Sequence, residues 1–193
     1  MMMMIKDVIL ASKSPRRYEL LSMLGYNVKT IVSDVDEDAI TADTPSLLAS
    51  KLAHAKALAV ANDVGETDLP IIAADTLVEI NGEILGKPKS EADARRMLKM
   101  LSGEPHYVHT GISVIMNGKE INLTDSAKVF FREIDQDELD AYIESKEPFD
   151  KAGAYGIQGK AGAFVERIEG DFYSIMGLPI CAVTKALKEL NEG

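Results

Sequence analysis

The stretch Val8-Ile9-Leu10-Ala11-Ser12-Lys13-Ser14-Pro15-Arg16-Arg17 most restricts the folds open to this chain. Its apolar run reads as a buried strand, and the hydroxyls and proline that follow end the strand and begin a helix. Ser14 is placed to cap that helix and Pro15 to be its first residue. Leu20, Leu21 and Leu24 then recur on one face until Gly25 ends it. The unpaired N–H groups of the first turn, with the guanidinium forks of Arg16 and Arg17 beside them, form a phosphate-binding arrangement. The same pattern also opens ordinary surface helices with solvated arginines.

Strand and helix signals alternate early in the chain and hairpin signals dominate later, which predicts a mixed α/β architecture. A strand is expected over Val28 to Ser33. A long helix should start at Thr44-Pro45, with Leu47, Leu48, Leu52, Ala55, Leu58 and Ala59 at helical spacing. Ile71-Ile72-Ala73-Ala74 reads as a short buried strand with Asp75 at its tip. Asn81-Gly82 marks a tight hairpin, and Asn117-Gly118 a longer one joining Tyr107–Met116 to Ile121–Phe131. Ser90 with Asp93, and Asp135 with Glu138, are helix starts, Ile134 stapling onto Leu139 in the second. A strand around Phe164–Ile168 and a helix over Pro179–Leu190 close the chain.

At 193 residues and 46% hydrophobic content the chain can bury a core, and a single domain, in two lobes, is expected. The net charge of -10 repels polyanionic duplexes, so extended nucleic acid is disfavoured as a partner. A small anion can still be held by a local basic cluster that is partly desolvated. The single cysteine, Cys181, lies in an apolar run and is expected to be buried. Met1–Met4 and the residues after them show neither a basic leader nor a long apolar core, so no signal peptide or membrane span is expected, and the expected compartment is the cytoplasm.

Four further groups could carry chemistry. Asp75-Thr76 would deliver a carboxylate and a hydroxyl to one edge of the sheet, where the acid can ligate a hard cation or take a proton from water. A capping aspartate fits the same residues. Gly86-Lys87-Pro88 offers a stiffened point charge or a plain turn. The acidic run Asp34 to Asp38 fails as a calcium loop, since Ala39 and Pro45 stand where glycine and glutamate are needed, though an acid or two there could reach a cation. Gly-rich Lys151 to Gly162 would bring backbone close to a ligand, with Tyr155 to stack and Gln158 to read a pyrimidine edge, unless it is a surface loop. Walker A, dinucleotide-fingerprint and zinc patterns are absent, and His54, His106 and His109 read as structural.

Taken in order, Ala11–Arg17, the Lys51–Lys56 part of the long helix, Ala74-Asp75-Thr76, Gly86-Lys87-Pro88, Lys151–Gly159 and Met176-Gly177-Leu178-Pro179 resemble the Maf family of nucleoside triphosphate pyrophosphatases. The resemblance spans nearly the whole chain. It implies a mixed twisted sheet with flanking helices in two lobes, like the inosine triphosphate pyrophosphatases of the Ham1 type, with substrate in a cleft between the lobes. It also implies a divalent cation, Mg2+ or Mn2+, and release of pyrophosphate. The branch acting on dTTP and UTP has two arginines after the proline, threonine after the aspartate and glutamine in the glycine-rich loop, matched here by Arg16, Thr76 and Gln158. The branch acting on 7-methyl-GTP has an aromatic, glutamine and glutamate there. Glutamine both donates and accepts, which suits a uracil or thymine edge. Ala74 departs from the glycine frequent in relatives, one small residue replacing another.

The resemblance further implies Asp75 as proton acceptor or metal ligand, Glu37 as a second metal carboxylate, and Ser12, Arg16, Arg17, Lys56 and Lys87 on the phosphates. A homodimer is common among such folds. Two rivals are a nucleotide-binding regulator of cell division or septum formation that does not turn over its ligand, and an RNA-associated module, which the acidic charge opposes.

Overall fold

The computed structural model describes residues 5–32 and 34–192. The Met1–Met4 run, and Ser33 at the end of the expected second strand, lie outside the described residues. Seven strands among the described residues form one mixed sheet. They are β1 (Asp7–Leu10), β2 (Asn27–Thr30), β3 (Ile71–Ile80), β4 (Glu83–Leu85), β5 (Pro105–Met116), β6 (Lys119–Phe131) and β7 (Val165–Glu169), in the order β2-β1-β3-β5-β6-β7 with β4 on β3. The helices are α1 (Pro15–Met23), α2 (Pro45–Val64), α3 (Glu91–Leu101), α4 (Gln136–Glu144), α5 (Phe172–Met176) and α6 (Ile180–Glu192). None of the described helices is long and apolar enough to cross a membrane.

The chain divides into two compact units. The first comprises Met1–Asp75, Thr110–Asp125 and Gly177–Gly193, and the second Thr76–His109 and Ser126–Met176. In the first unit β1 runs parallel to β2, pairing Asp7 with Asn27 through Leu10 with Thr30, and parallel to β3, pairing Ile9 with Ile71 and Leu10 with Ile72. Ile9, Ala11, Ile71 and Ala73 pack with Ala57 and Val60 of α2. The buried face of α2 is built of Ala49, Leu52, Ala53, Ala57 and Val60, whereas Leu47 and Leu58, expected inside, are 44% and 40% exposed. At Ala49 the helix backbone comes so close to β5 that a Cβ on Gly111 would lie 2.2 Å from the Ala49 carbonyl oxygen. Leu24 is likewise partly exposed, while Leu20 and Leu21 are buried as expected and Gly25 ends α1 at φ +86°.

Helical periodicity also overturns one expectation about α6. Val183, Ala186, Leu187 and Leu190 form its buried face, which leaves Cys181 exposed. The apolar run around this cysteine concealed its place on the helix.

The second unit packs α3 and α4 against strand residues Val78, Val108, Ala127, Val129 and Phe131. Ser90 caps α3 through the Asp93 amide at 3.1 Å, and Asp135 caps α4 through the Glu138 amide at 2.9 Å. Asn81 and Gly82 have φ of 52° and 81°, the left-handed pair that a two-residue hairpin requires. Val78 and Ile80 are buried on the strand side of that hairpin, so the apolar alternation carries β3 through Asp75 without a break. Asp75 is therefore inside a ten-residue strand, not at its tip. Short 3-10 turns at Ala152–Ala154 and Lys160–Phe164 order the glycine-rich segment.

Candidate active site

The first unit assembles six of the expected residues into one charged neighbourhood. After Leu10 the chain leaves β1 and enters α1, with Ser14 accepting from the Arg17 amide at 3.5 Å and Pro15 at the first helical position. Ser12, almost fully buried, accepts from the Ser14 amide and from the Arg17 guanidinium, each at 3.1 Å. Arg17 also donates through Nε to the carbonyl of Gly177 at 2.7 Å. Two acceptors in different directions fix the plane of the guanidinium, which a flexible ammonium would not allow. Burial pushes the Arg17 pKa down, Asp75 and Glu37 push it up, and Arg16 pushes it down. Asp75, Arg16 and Glu37 are thus each within electrostatic reach of Arg17.

Lys56 links the carboxylates. It projects from α2 and donates to Asp75 Oδ1 while lying 3.0 Å from Glu37 Oε1. Asp75 is only 8% exposed, and Glu37, on a 3-10 turn at Glu37–Ala39, is exposed. A buried carboxylate without a cation would be costly, and Lys56 supplies that cation. β1 pairs with β3 only as far as Ile72, so Asp75 lies beyond the end of its parallel neighbour, where the chain has turned toward Ser12. Carboxylate oxygens are hard donors suited to Mg2+ or Mn2+, which are bound by one or two carboxylates together with substrate oxygens. Asp75 and Glu37, which share Lys56, present two such carboxylates.

Thr76 follows Asp75 on β3, is half-buried and belongs to the second unit, as do Lys87 and Gln158. Lys87 is exposed next to buried Pro88. The Gly153 amide donates to the Gly86 carbonyl at 3.1 Å, tying the Lys87 turn to the glycine-rich segment. Gly153 is held at φ +67°, and a Cβ on it would lie 3.0 Å from Val78. Gln158 is exposed.

Tyr155 does not fit the stacking role expected of it. It is buried at 5% exposure, contacts the Phe131 ring edge-on at 4.8 Å between centroids, and its hydroxyl shares a 2.8 Å hydrogen bond with His106. Burial drives its pKa up and pushes His106 down to about 4. The ring is an anchor for the segment that carries Gln158. Sequence reading also missed the seat of Arg17 on Gly177 and the turn that braces the glycine-rich segment. Only the order of the motifs hinted at the first, and the second had no local signal.

This architecture is a known one. The chain is similar in fold to the Staphylococcus aureus Ham1 protein, with a TM-score of 0.56 and 16% identity, covering 95% of this chain and 99% of that one. Residues 7–190 match the family model for Maf-like proteins, and the chain belongs to the Maf family. Among its relatives is a protein of Bacillus cereus (strain ATCC 10987 / NRS 248) named dTTP/UTP pyrophosphatase, 46% identical over 187 residues, which are 97% of this chain and 91% of that protein. A protein of the same name from Bacillus thuringiensis subsp. konkukian (strain 97-27) is also 46% identical, and one from Bacillus anthracis 45%, over 97% of each chain.

Proposed function

We propose that this protein is a nucleoside triphosphate pyrophosphatase that cleaves dTTP and UTP between the α and β phosphates, giving the monophosphate and pyrophosphate. The observation that carries the reading is Lys56 held between buried Asp75 and Glu37, with Arg17 seated by Ser12 and Gly177. The names of the relatives support the substrates. A triphosphate brings about four negative charges, and stabilising the charge that shifts during P–O cleavage is the main task of such a site. Arg17 is fixed in advance by Ser12 and Gly177, so it need not reorganise when phosphate arrives. Arg16 and the first-turn N–H groups of α1 add further donors.

Asp75 is the proposed proton acceptor, taking a proton from the attacking water. Lys56 orients its carboxylate and can turn toward a phosphate oxygen. Glu37 and Asp75 are the proposed holders of Mg2+ or Mn2+, which when bound neutralises phosphate charge and polarises the P–O bond. Lys87 is assigned to the phosphates and Thr76 and Gln158 to substrate choice, with glutamine able to donate to and accept from a pyrimidine edge. The cytoplasm is the proposed compartment.

The test is to incubate pure protein with Mg2+ and a panel of nucleoside triphosphates, measuring pyrophosphate separately from orthophosphate. Pyrophosphate formed preferentially from dTTP and UTP is the expected result. Orthophosphate alone, or binding without product, would overturn the assignment, the latter in favour of a regulatory nucleotide binder.

A further inference from the structure

Gln158 sits in a segment whose shape is imposed from outside it. After α4 the chain passes Lys146, in the left-handed region at φ 62°, into a 3-10 turn at Glu147–Asp150. From that turn the Glu147 carboxylate reaches back across the glycine-rich segment. Its Oε2 accepts from the Lys160 amide at 3.2 Å and its Oε1 from the Tyr142 hydroxyl at 3.4 Å. It lies so close over Gly159 that a Cβ there would sit 1.8 Å from Oε1 and 2.5 Å from Cδ. Gly159 has φ -96° and ψ -158°, angles open to any residue. A side chain at this position would therefore have to push the Glu147 carboxylate aside.

Lys151 braces the other side of the same turn. Its Nζ donates to the Glu147 carbonyl at 2.8 Å and to Asp150 Oδ1 at 2.5 Å. Its stem leaves no room for a Cβ on Gly156, which would fall 2.7 Å from Cε. Gly156 in turn accepts from the Gly159 amide at 3.0 Å. Gln158 thus lies between two glycines, each covered by a side chain of one upstream turn.

We infer that Glu147 is a positioning residue for Gln158: by clasping Gly159 and the Lys160 amide it fixes the backbone from which the pyrimidine-reading amide projects. The inference rests on the pyrophosphatase reading. In this role Glu147 removes the entropy cost of ordering the Gln158 backbone when a base binds. Its contribution therefore falls on substrate binding and on the preference for pyrimidines.

Wild type, E147A, E147Q and G159A are to be compared for kcat and KM with dTTP, UTP and GTP. In E147A and G159A, KM for dTTP and UTP is expected to rise about tenfold while kcat stays within about threefold, with the preference over GTP reduced. E147Q keeps an acceptor for the Lys160 amide and is expected to recover most of the loss. A folded E147A with wild-type KM, or an E147Q as impaired as E147A, would overturn the inference. Should E147A fail to fold, G159A carries the same test, because it displaces the carboxylate without removing it at a backbone geometry alanine tolerates. If wild type releases no pyrophosphate from dTTP or UTP, the proposed function falls instead. Glu147 is then judged by hydrogen exchange at the Lys160 amide, expected to speed up in G159A, an unchanged rate sinking the inference.

Discussion

The charged neighbourhood of the first unit and the glycine-rich segment of the second are held in place by opposite means. Around Asp75 the groups assigned to chemistry hold one another: Lys56 lies between Asp75 and Glu37, and Arg17 is seated by Ser12 and Gly177. Around Gln158 the segment is braced by residues not assigned to the substrate: Glu147, Lys151 and buried Tyr155. Substitution in the first region therefore removes a function and disturbs its neighbours, whereas substitution near the second alters precision and leaves the chemical step running.

Asp75→Asn is the strongest way to break this contrast. It keeps the side chain's shape and is expected to lower kcat by about a thousandfold with little change in Tm, as read by pyrophosphate release and thermal unfolding. A mutant within about tenfold of wild type would remove Asp75 from the proton-acceptor role. Titration of His106 probes the second unit separately. The unfolded chain protonates this imidazole near its ordinary 6.5, while burial holds it down to about 4 in the folded protein. The stability it contributes is thus complete above pH 6.5 and drains as pH falls toward 4, by about 3 kcal/mol. Chemical unfolding at pH 7.5 and at pH 4.5 measures the loss, and H106Q is expected to flatten it.

Arg17→Lys tests whether the guanidinium fork matters beyond its charge. A lysine cannot serve Ser12 and Gly177 together, and kcat/KM is expected to fall about thirtyfold, with little recovery at high substrate. The smallest effect is expected from Gln158→Ala, with kcat/KM for dTTP and UTP down about tenfold and that for GTP nearly unchanged, which measures selectivity alone.

Legibility in the sequence followed the range of the interaction. Ser14, Ser90 and Asp135 cap their helices through contacts within three residues, and the Asn81-Gly82 turn needs only its own dihedral angles, so each could be read locally. The members of the charged neighbourhood were legible because a resemblance carried them, not because spacing brought Lys56 to Asp75. The inner face of α2 was misread because the close approach of Gly111, on a distant strand, to the Ala49 backbone has no local signal. Tyr155 looked available because nothing nearby announces His106, forty-nine residues away. Asp75 looked terminal because an ionisable residue inside a strand is read as its end unless the cation that compensates it is known.

The hydrogen bond from Arg17 to Gly177 joins residues 160 positions apart. During synthesis, the arginine leaves the ribosome long before the carbonyl that will orient it exists. Until the segment carrying Gly177 docks, the Ser12 contact is in place without its distant counterpart, so a chain shortened before Gly177 is expected to hold the Arg17 guanidinium less firmly.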